Sequence, residues 1–264
     1  ALAYKESGNF KNAIESHKSA IKHESENFSH YFYLSELQNE VLDSTLQEKI
    51  NLNIKEKKMS NINKAYAFYI LSKYEKKKKQ YEKELFYLKE GHKKFYDSKK
   101  EKFDLIIKYC FDDLLQIENG AKVETMNRKE KSKIKPIFIV GVPRCGSTLL
   151  EKIIASGEKS IPIGEETSVI EDFVNSRRLS QKSLNLGDVA DVEAEINKIY
   201  KNKGLISEKF NYTYTDKSLN NFIFLRLIKE IYPEAKIINC RRDVLSSIMS
   251  IFQNNLSELA WTHQ

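Results

Sequence analysis

Two patterns of apolar spacing divide the chain. Over residues 1–127 apolar side chains recur at helical intervals, Ala3, Ala13, Ala20 and Ile21 among them. No proline interrupts that stretch, and its only glycines are Gly8, Gly91 and Gly120. This spacing predicts a helical segment. From residue 135 short apolar runs take over. Lys135–Val140 (KPIFIV) reads as a buried strand, an alternating run precedes Asp216, and Lys236–Cys240 reads as another buried strand. Each is followed by a helical pattern: LLEKIIASG, with Leu149, Leu150, Ile153 and Ile154 on one apolar face, then Leu219–Tyr232, then Val244–Phe252. Strand–helix units of this kind predict a parallel sheet with ligands at the strand carboxyl ends. The expected fold class is α plus α/β: a helical segment over 1–127 and a P-loop-like parallel-sheet domain over 134–264. The polar stretch Thr125–Lys135 (TMNRKEKSKIK) forms the boundary.

The helical segment carries a hint of repetition. AYKESGNFKNAIESHKSAI resembles a tetratricopeptide repeat, with Tyr4, Gly8, Ala13 and Ala20 where that repeat puts its aromatic, its turn glycine and two small packing residues. AFYILSKYEKKKKQYEKELFYLKEGHKKF matches more loosely through Tyr74, Leu88 and Gly91. Tyr4 and Tyr74 are separated by about two periods of the ~34-residue repeat. The unit between them, around His30–Ile54, is degenerate, and a generic helical bundle is the alternative. Repeats of this type present a concave face to a peptide or another protein. Lys76–Lys79 reads as a solvated turn.

Charge adds one discrimination. The formal net charge of +7 is spread over both halves and forms no basic arm, so it does not point to nucleic acid. Arginine is not spread: six of the seven, Arg144, Arg177, Arg178, Arg226, Arg241 and Arg242, fall in the second half, and a guanidinium is the better fork for phosphate oxygens. Cys110, Cys145 and Cys240 have neither CxxC nor metal-ligand spacing, so neither a zinc site nor a disulfide framework is expected. The chain shows no signal peptide and no apolar run of the ~20 residues a membrane helix needs. That makes the cytoplasm the expected compartment. The first residues lack a starting Met and the end at AWTHQ is abrupt, which reads as a piece of a longer protein, truncated at its C-terminus. Three sequons (Asn27, Asn211, Asn255) would matter only in a secretory compartment.

The candidate chemistry begins at GVPRCGST, between the first strand and its helix. Strand, glycine-containing loop and helix aim backbone N–H groups at a phosphate. The spacing of Gly141 and Gly146 copies the nucleotide-hydrolase loop, but Ser147 stands where that loop has its lysine. A kinase or NTPase needs that lysine on the β- and γ-phosphates. Here the cation is Arg144, inside the loop. The glycine pattern alone also fits an ordinary strand–turn–helix.

FIVGVPRCGSTLLEKIIAS resembles the 5′-phosphosulfate loop of sulfotransferases, especially the tyrosylprotein-sulfotransferase-like branch and its bacterial relatives fused to tetratricopeptide repeats. The family form is close to GVPRSGTTL, with Cys145 and Ser147 here at the two variable places. Three further motifs follow in the family's order. IPIGEETSVIEDF puts Glu165 and Glu166 in the first turn of a helix, where carboxylates commonly just suit the dipole. GEET matches the tyrosylprotein sulfotransferase motif, whose second Glu is the base. The resemblance thus implies Glu166 as base, with Glu165 as the alternative. That branch continues with arginine after GEET, and this chain departs from it with Ser168. YTYTDKSLNNF resembles the DKxPxNF segment, implying that Lys217 balances charge on the moving group, with Leu219 in place of the proline. AKIINCRRDVLSSIMSIF places Arg242 at a strand end and Ser250 eight residues on, the separation at which sulfotransferases hold the 3′-phosphate.

The resemblance therefore implies sulfuryl transfer from 3′-phosphoadenylyl sulfate (PAPS) to a hydroxyl or amine acceptor, which includes a protein tyrosine or a glycan. Catalysis would fall to Glu166, Arg144 and Lys217, and nucleotide binding to Pro143, Arg144, Cys145, Gly146, Ser147, Thr148, Arg242 and Ser250, with no metal. The alternatives are an inactive sulfotransferase-like scaffold on repeats and, more distantly, a P-loop kinase or NTPase.

Overall fold

The computed structural model describes residues 1–55, 59–113, 116, 122–124, 132–157, 160–180, 185–210, 212–256 and 259–263. Residues 125–131 of the expected boundary, and the sequon residue Asn211, lie outside the described residues. The chain forms two compact units, Ala1–Ile107 with Phe252–Gln264, and Lys108–Ile251.

The first unit is helical: α1 (Leu2–Glu6), α2 (Phe10–His23), α3 (Phe28–Ser35), α4 (Ser44–Lys55), α5 (Asn61–Lys77), α6 (Tyr81–Ser98) and α7 (Lys100–Lys108). Gly8 turns between α1 and α2 at φ 76°, a left-handed conformation that costs glycine little. Asn9 caps α2 by accepting the Asn12 N–H, and Ala13 is fully buried. Helices α5 and α6 form a hairpin through Lys78–Gln80. Gly91 lets them close, since a Cβ there would meet two Tyr69 ring carbons at 2.8 Å. Phe28, Phe32, Tyr66, Tyr69, Phe95 and Phe103 supply much of the core, and Tyr74 donates its hydroxyl to the Asp43 carbonyl at 2.6 Å.

Residues from Phe252 onward also belong to this unit. The His263 ring stacks on Phe95 and Phe103. His92 Nδ1 lies 2.8 Å from His263 Nδ1, and His92 Nε2 donates to the Phe252 carbonyl at 2.7 Å. Burial, then the neighbouring His92, lowers the His263 pKa to about 4, so the ring packs as a neutral aromatic at pH 7.

The second unit pairs sheet with helices. Strand β1 (Lys122–Glu124) pairs parallel with β3 (Asn185–Asp188). Strand β2 (Lys135–Gly141) lies between β4 (Thr213–Asp216) and β5 (Lys236–Cys240), all parallel. Its helices are α8 (Ser147–Ala155), α9 (Val169–Ser180), α10 (Val189–Asn202), α11 (Leu225–Ile231) and α12 (Val244–Phe252). Phe138, Ile170, Val174, Ile196, Tyr200, Tyr214, Ile228 and Ile231 build its core. Among the described residues no helix is long and apolar enough to cross a membrane.

Three expectations need correction here. The apolar face of α8 is not its buried face: Leu149 and Ile153 are exposed and Leu150 and Ile154 half-buried, while Ser147, Glu151 and Ala155 are buried. On that buried side Glu151 accepts the Thr215 hydroxyl. The helix expected over Leu219–Tyr232 opens as a 3-10 stretch over Leu219–Phe224. There Asn221 is drawn to the Asp216 carboxylate. Glu165 and Glu166 are not in a helix: they form a turn before α9. Glu166 and Ser168 sit at φ 50° and 52°, and the Ser168 N–H donates to Ser218 Oγ instead of entering a helical ladder.

Candidate active site

The site gathers at the carboxyl ends of β2, β4 and β5. Gly141 ends β2 opposite Cys240, the last residue of β5. A Cβ at Gly141 would lie 2.5 Å from the Cys240 carbonyl oxygen, so glycine is what lets the loop leave there. Arg144 then takes φ 67° and Gly146 φ 97°, and α8 begins at Ser147. Arg144, Glu166 and Ser168 are three of the five non-glycine residues at positive φ among the described residues. Backbone strain is therefore concentrated around this loop and the GEET turn, as is common at functional sites.

Two guanidiniums are held on the loop by hydrogen bonds. Arg144 Nε donates to Ser250 Oγ at 3.1 Å, and Arg242 Nη1 donates to the Arg144 carbonyl at 3.4 Å. The Ser250 hydroxyl thus meets Arg144. Asp243 fixes the start of α12, which carries Ser250, by accepting the Ser246 N–H at 2.8 Å. That bond, helped by Arg242, holds the Asp243 carboxyl below the usual range.

On the other side, Lys217 follows β4 directly and is buried, 2% exposed. Its Nζ lies 3.0 Å from Glu166 Oε1 and 3.3 Å from Glu165 Oε1. Glu165 Oε1 also accepts the Thr148 hydroxyl at 3.1 Å, which ties the GEET turn to the phosphate loop. Glu166 is the freer carboxylate, its side chain 72% exposed. Gly164 makes the approach possible: a Cβ there would lie 2.2 Å from the Thr215 carbonyl oxygen, and its own carbonyl accepts the Lys217 N–H.

Sequence reasoning missed two supports beneath these residues. Asp216, fully buried, accepts from the hydroxyls of Tyr200, Thr167 and Ser218, the Ser218 N–H and Asn221 Nδ2. It thereby clamps the segments before and after Lys217. Glu151 is also fully buried, with Oε1 accepting the Thr215 hydroxyl at 2.6 Å and Oε2 without a partner. Burial raises its pKa, against the lowering effects of the Thr215 hydroxyl and Lys217. The available signal was a lone acid inside the apolar run LLEKII.

Of the residues expected from sequence, the structure brings Arg144, Arg242 and Ser250 together, and separately Thr148, Glu165, Glu166 and Lys217. Cys145 and Ser147 are buried in the loop. Backbone N–H groups at a helix start, two guanidiniums and hydroxyls form a donor set suited to phosphate oxygens.

Comparison with known proteins agrees with this chemistry. Residues 136–264 match the model of the sulfotransferase family. The matched span includes Phe252–Gln264, which folds with the helical unit. An uncharacterized protein of Aquifex aeolicus (strain VF5) is 24% identical over 212 residues, covering 74% of this chain and 26% of that protein. The chain thus spans about a quarter of the length of the curated relative it matches. No solved structure matches the chain significantly.

Proposed function

We propose that residues 134–264 carry a PAPS-dependent sulfotransferase site of the tyrosylprotein-sulfotransferase-like branch, transferring a sulfuryl group to a hydroxyl or amine acceptor. The observation that carries this reading is the convergence of Arg144, Arg242 and Ser250 on one glycine-bounded loop, with a buried Lys217 between two carboxylates on the sheet's other flank. The loop amides from Cys145 to Thr148 and the Ser147 and Thr148 hydroxyls would hold the 5′-phosphosulfate, with Pro143 shaping the turn. Arg242 and Ser250 would hold the 3′-phosphate.

Glu166 suits the role of base because it is exposed to an incoming acceptor, whereas Glu165 is shared between Thr148 and Lys217. Glu166 takes the acceptor proton. Lys217 and Arg144 balance charge on the transferred group and the bridging oxygen. This chain's part in the reaction is to orient, to hold charge and to move one proton. The helical hairpins, with Gly8 at a turn, Ala13 buried and Gly91 at a close contact, support tetratricopeptide-like repeats whose partner would be a peptide or protein.

Calorimetric titration with adenosine 3′,5′-bisphosphate, AMP and ATP tests the nucleotide assignment. The bisphosphate is expected to bind at least ~10-fold more tightly than AMP, the worth of one charge-assisted contact of about 1.4 kcal/mol. Equal affinities would refute the 3′-phosphate assignment.

A further inference from the structure

We propose that Cys145 and Cys240 are an oxidisable thiol pair, a modification site that closes a disulfide between the phosphate loop and the end of β5. Both cysteines crowd the same glycine. Cys240 pairs with Gly141 across the β2–β5 ladder, and a Cβ at Gly141 would lie 2.5 Å from the Cys240 carbonyl oxygen and 3.1 Å from Cys145 Sγ. The Cys240 thiol already touches the loop, donating to the Cys145 carbonyl at 3.5 Å. Burial, then the adjacent Cys145 thiol, pushes the Cys240 pKa up to about 11, so Cys240 rests as a neutral thiol. With the Cys240 thiol on the Cys145 carbonyl and Cys145 Sγ over the same Gly141, closure asks for side-chain rotation and a loop shift that brings the two Cα atoms into the roughly 4.4–6.8 Å range of a disulfide.

The oxidant would be a low-molecular-weight disulfide. At alkaline pH Cys240, the more exposed of the two, loses its proton and its sulfur displaces one thiol, leaving a mixed disulfide. Cys145 then attacks the Cys240 sulfur and displaces the second. Two protein thiols are oxidised, one small disulfide is reduced to two thiols, and both protons leave on them. The new bond removes the Cys240 S–H donor to the Cys145 carbonyl and ties the loop to the end of β5, two residues before Arg242. Its effect on anion binding rests on the nucleotide reading above; the pairing itself does not.

The experiment exposes the whole chain to excess oxidised glutathione, maps its non-reduced peptides by mass spectrometry, and titrates the product with adenosine 3′,5′-bisphosphate. A Cys145–Cys240 link is expected, with affinity falling about tenfold or more, equivalent to about 1.4 kcal/mol, and returning with dithiothreitol. Cys240→Ser is expected to bind the bisphosphate as the wild type does and to ignore the oxidant. Cys110→Ser should respond as the wild type. Links through Cys110 or glutathione adducts alone would overturn the pairing, and a Cys145–Cys240 link with unchanged affinity would overturn its effect on anion binding. If the reduced protein does not bind the bisphosphate, the nucleotide reading fails, while the peptide map still decides the pair.

Discussion

Replacing Glu151 with glutamine isolates the charge of a buried carboxyl while keeping its shape. The wild-type side chain is fully buried, with Thr215 on one oxygen and nothing on the other. Burial raises its pKa; Glu165 and Asp216 add to that, while the Thr215 hydroxyl and Lys217 oppose it. The fold therefore keeps a proton that the unfolded chain, with an ordinary Glu value of ~4.3, releases. Stability from this group is complete below the unfolded value and is lost as pH rises through the raised folded value. Within that window the loss approaches ~1.4 kcal/mol per pH unit, and above it the loss levels off. Glutamine has no proton to lose. Its amide, lacking a partner for its NH₂, costs about 1–3 kcal/mol at every pH, so only the change in the difference matters. Urea unfolding of both proteins from pH 4 to 8, followed by circular dichroism, measures it. The difference is expected to move toward the variant as pH rises and then to plateau. The single tryptophan, Trp261, belongs to the helical unit and supplies a control signal. A constant offset across the range, or drift toward the wild type, would refute the argument.

Two further outcomes follow from the geometry. Gly91→Ala drives a methyl into the Tyr69 ring and should destabilise the helical unit by about 1–3 kcal/mol, the usual cost of overpacking, read from the Trp261 fluorescence midpoint; an unchanged midpoint would mean that the hairpin contact is loose. Glu166→Gln should slow single-turnover sulfuryl transfer by ~10²–10⁴ with bisphosphate affinity preserved, and the reverse ranking of Glu165→Gln and Glu166→Gln would exchange their roles.

Periodicity made the elements legible, and contacts made by single polar residues set their orientation. The strand at Lys135–Val140, the strand at Lys236–Cys240 and the helix over Val244–Phe252 stand where the apolar runs put them. The facing of α8 was not legible, because the hydrophobic pattern puts Leu149 and Ile153 inward, whereas the buried side carries Ser147, Ala155 and Glu151 with its bond from Thr215. The GEET turn looked like a helix start because acids favour that place; the positive φ of Glu166 and the pull of Lys217, distant in sequence, are tertiary facts. The same holds for Asp216, whose five donors come from four residues spread from Thr167 to Asn221.

The placement of Phe252–His263 in the helical unit has a consequence for biosynthesis. That unit is discontinuous: the stretch 108–251 is threaded between its two parts. Within this stretch a ribosome delivers α1–α7 before the sheet unit, and only afterwards the His263 ring that stacks on Phe95 and Phe103 and lies beside His92. Until then Phe95 and Phe103 keep their contacts with each other and with Tyr66, Tyr69 and Tyr96, but the face that His263 covers is incomplete. Domains usually complete themselves in order during translation; of these two units, the one begun before the sheet unit is completed only after it.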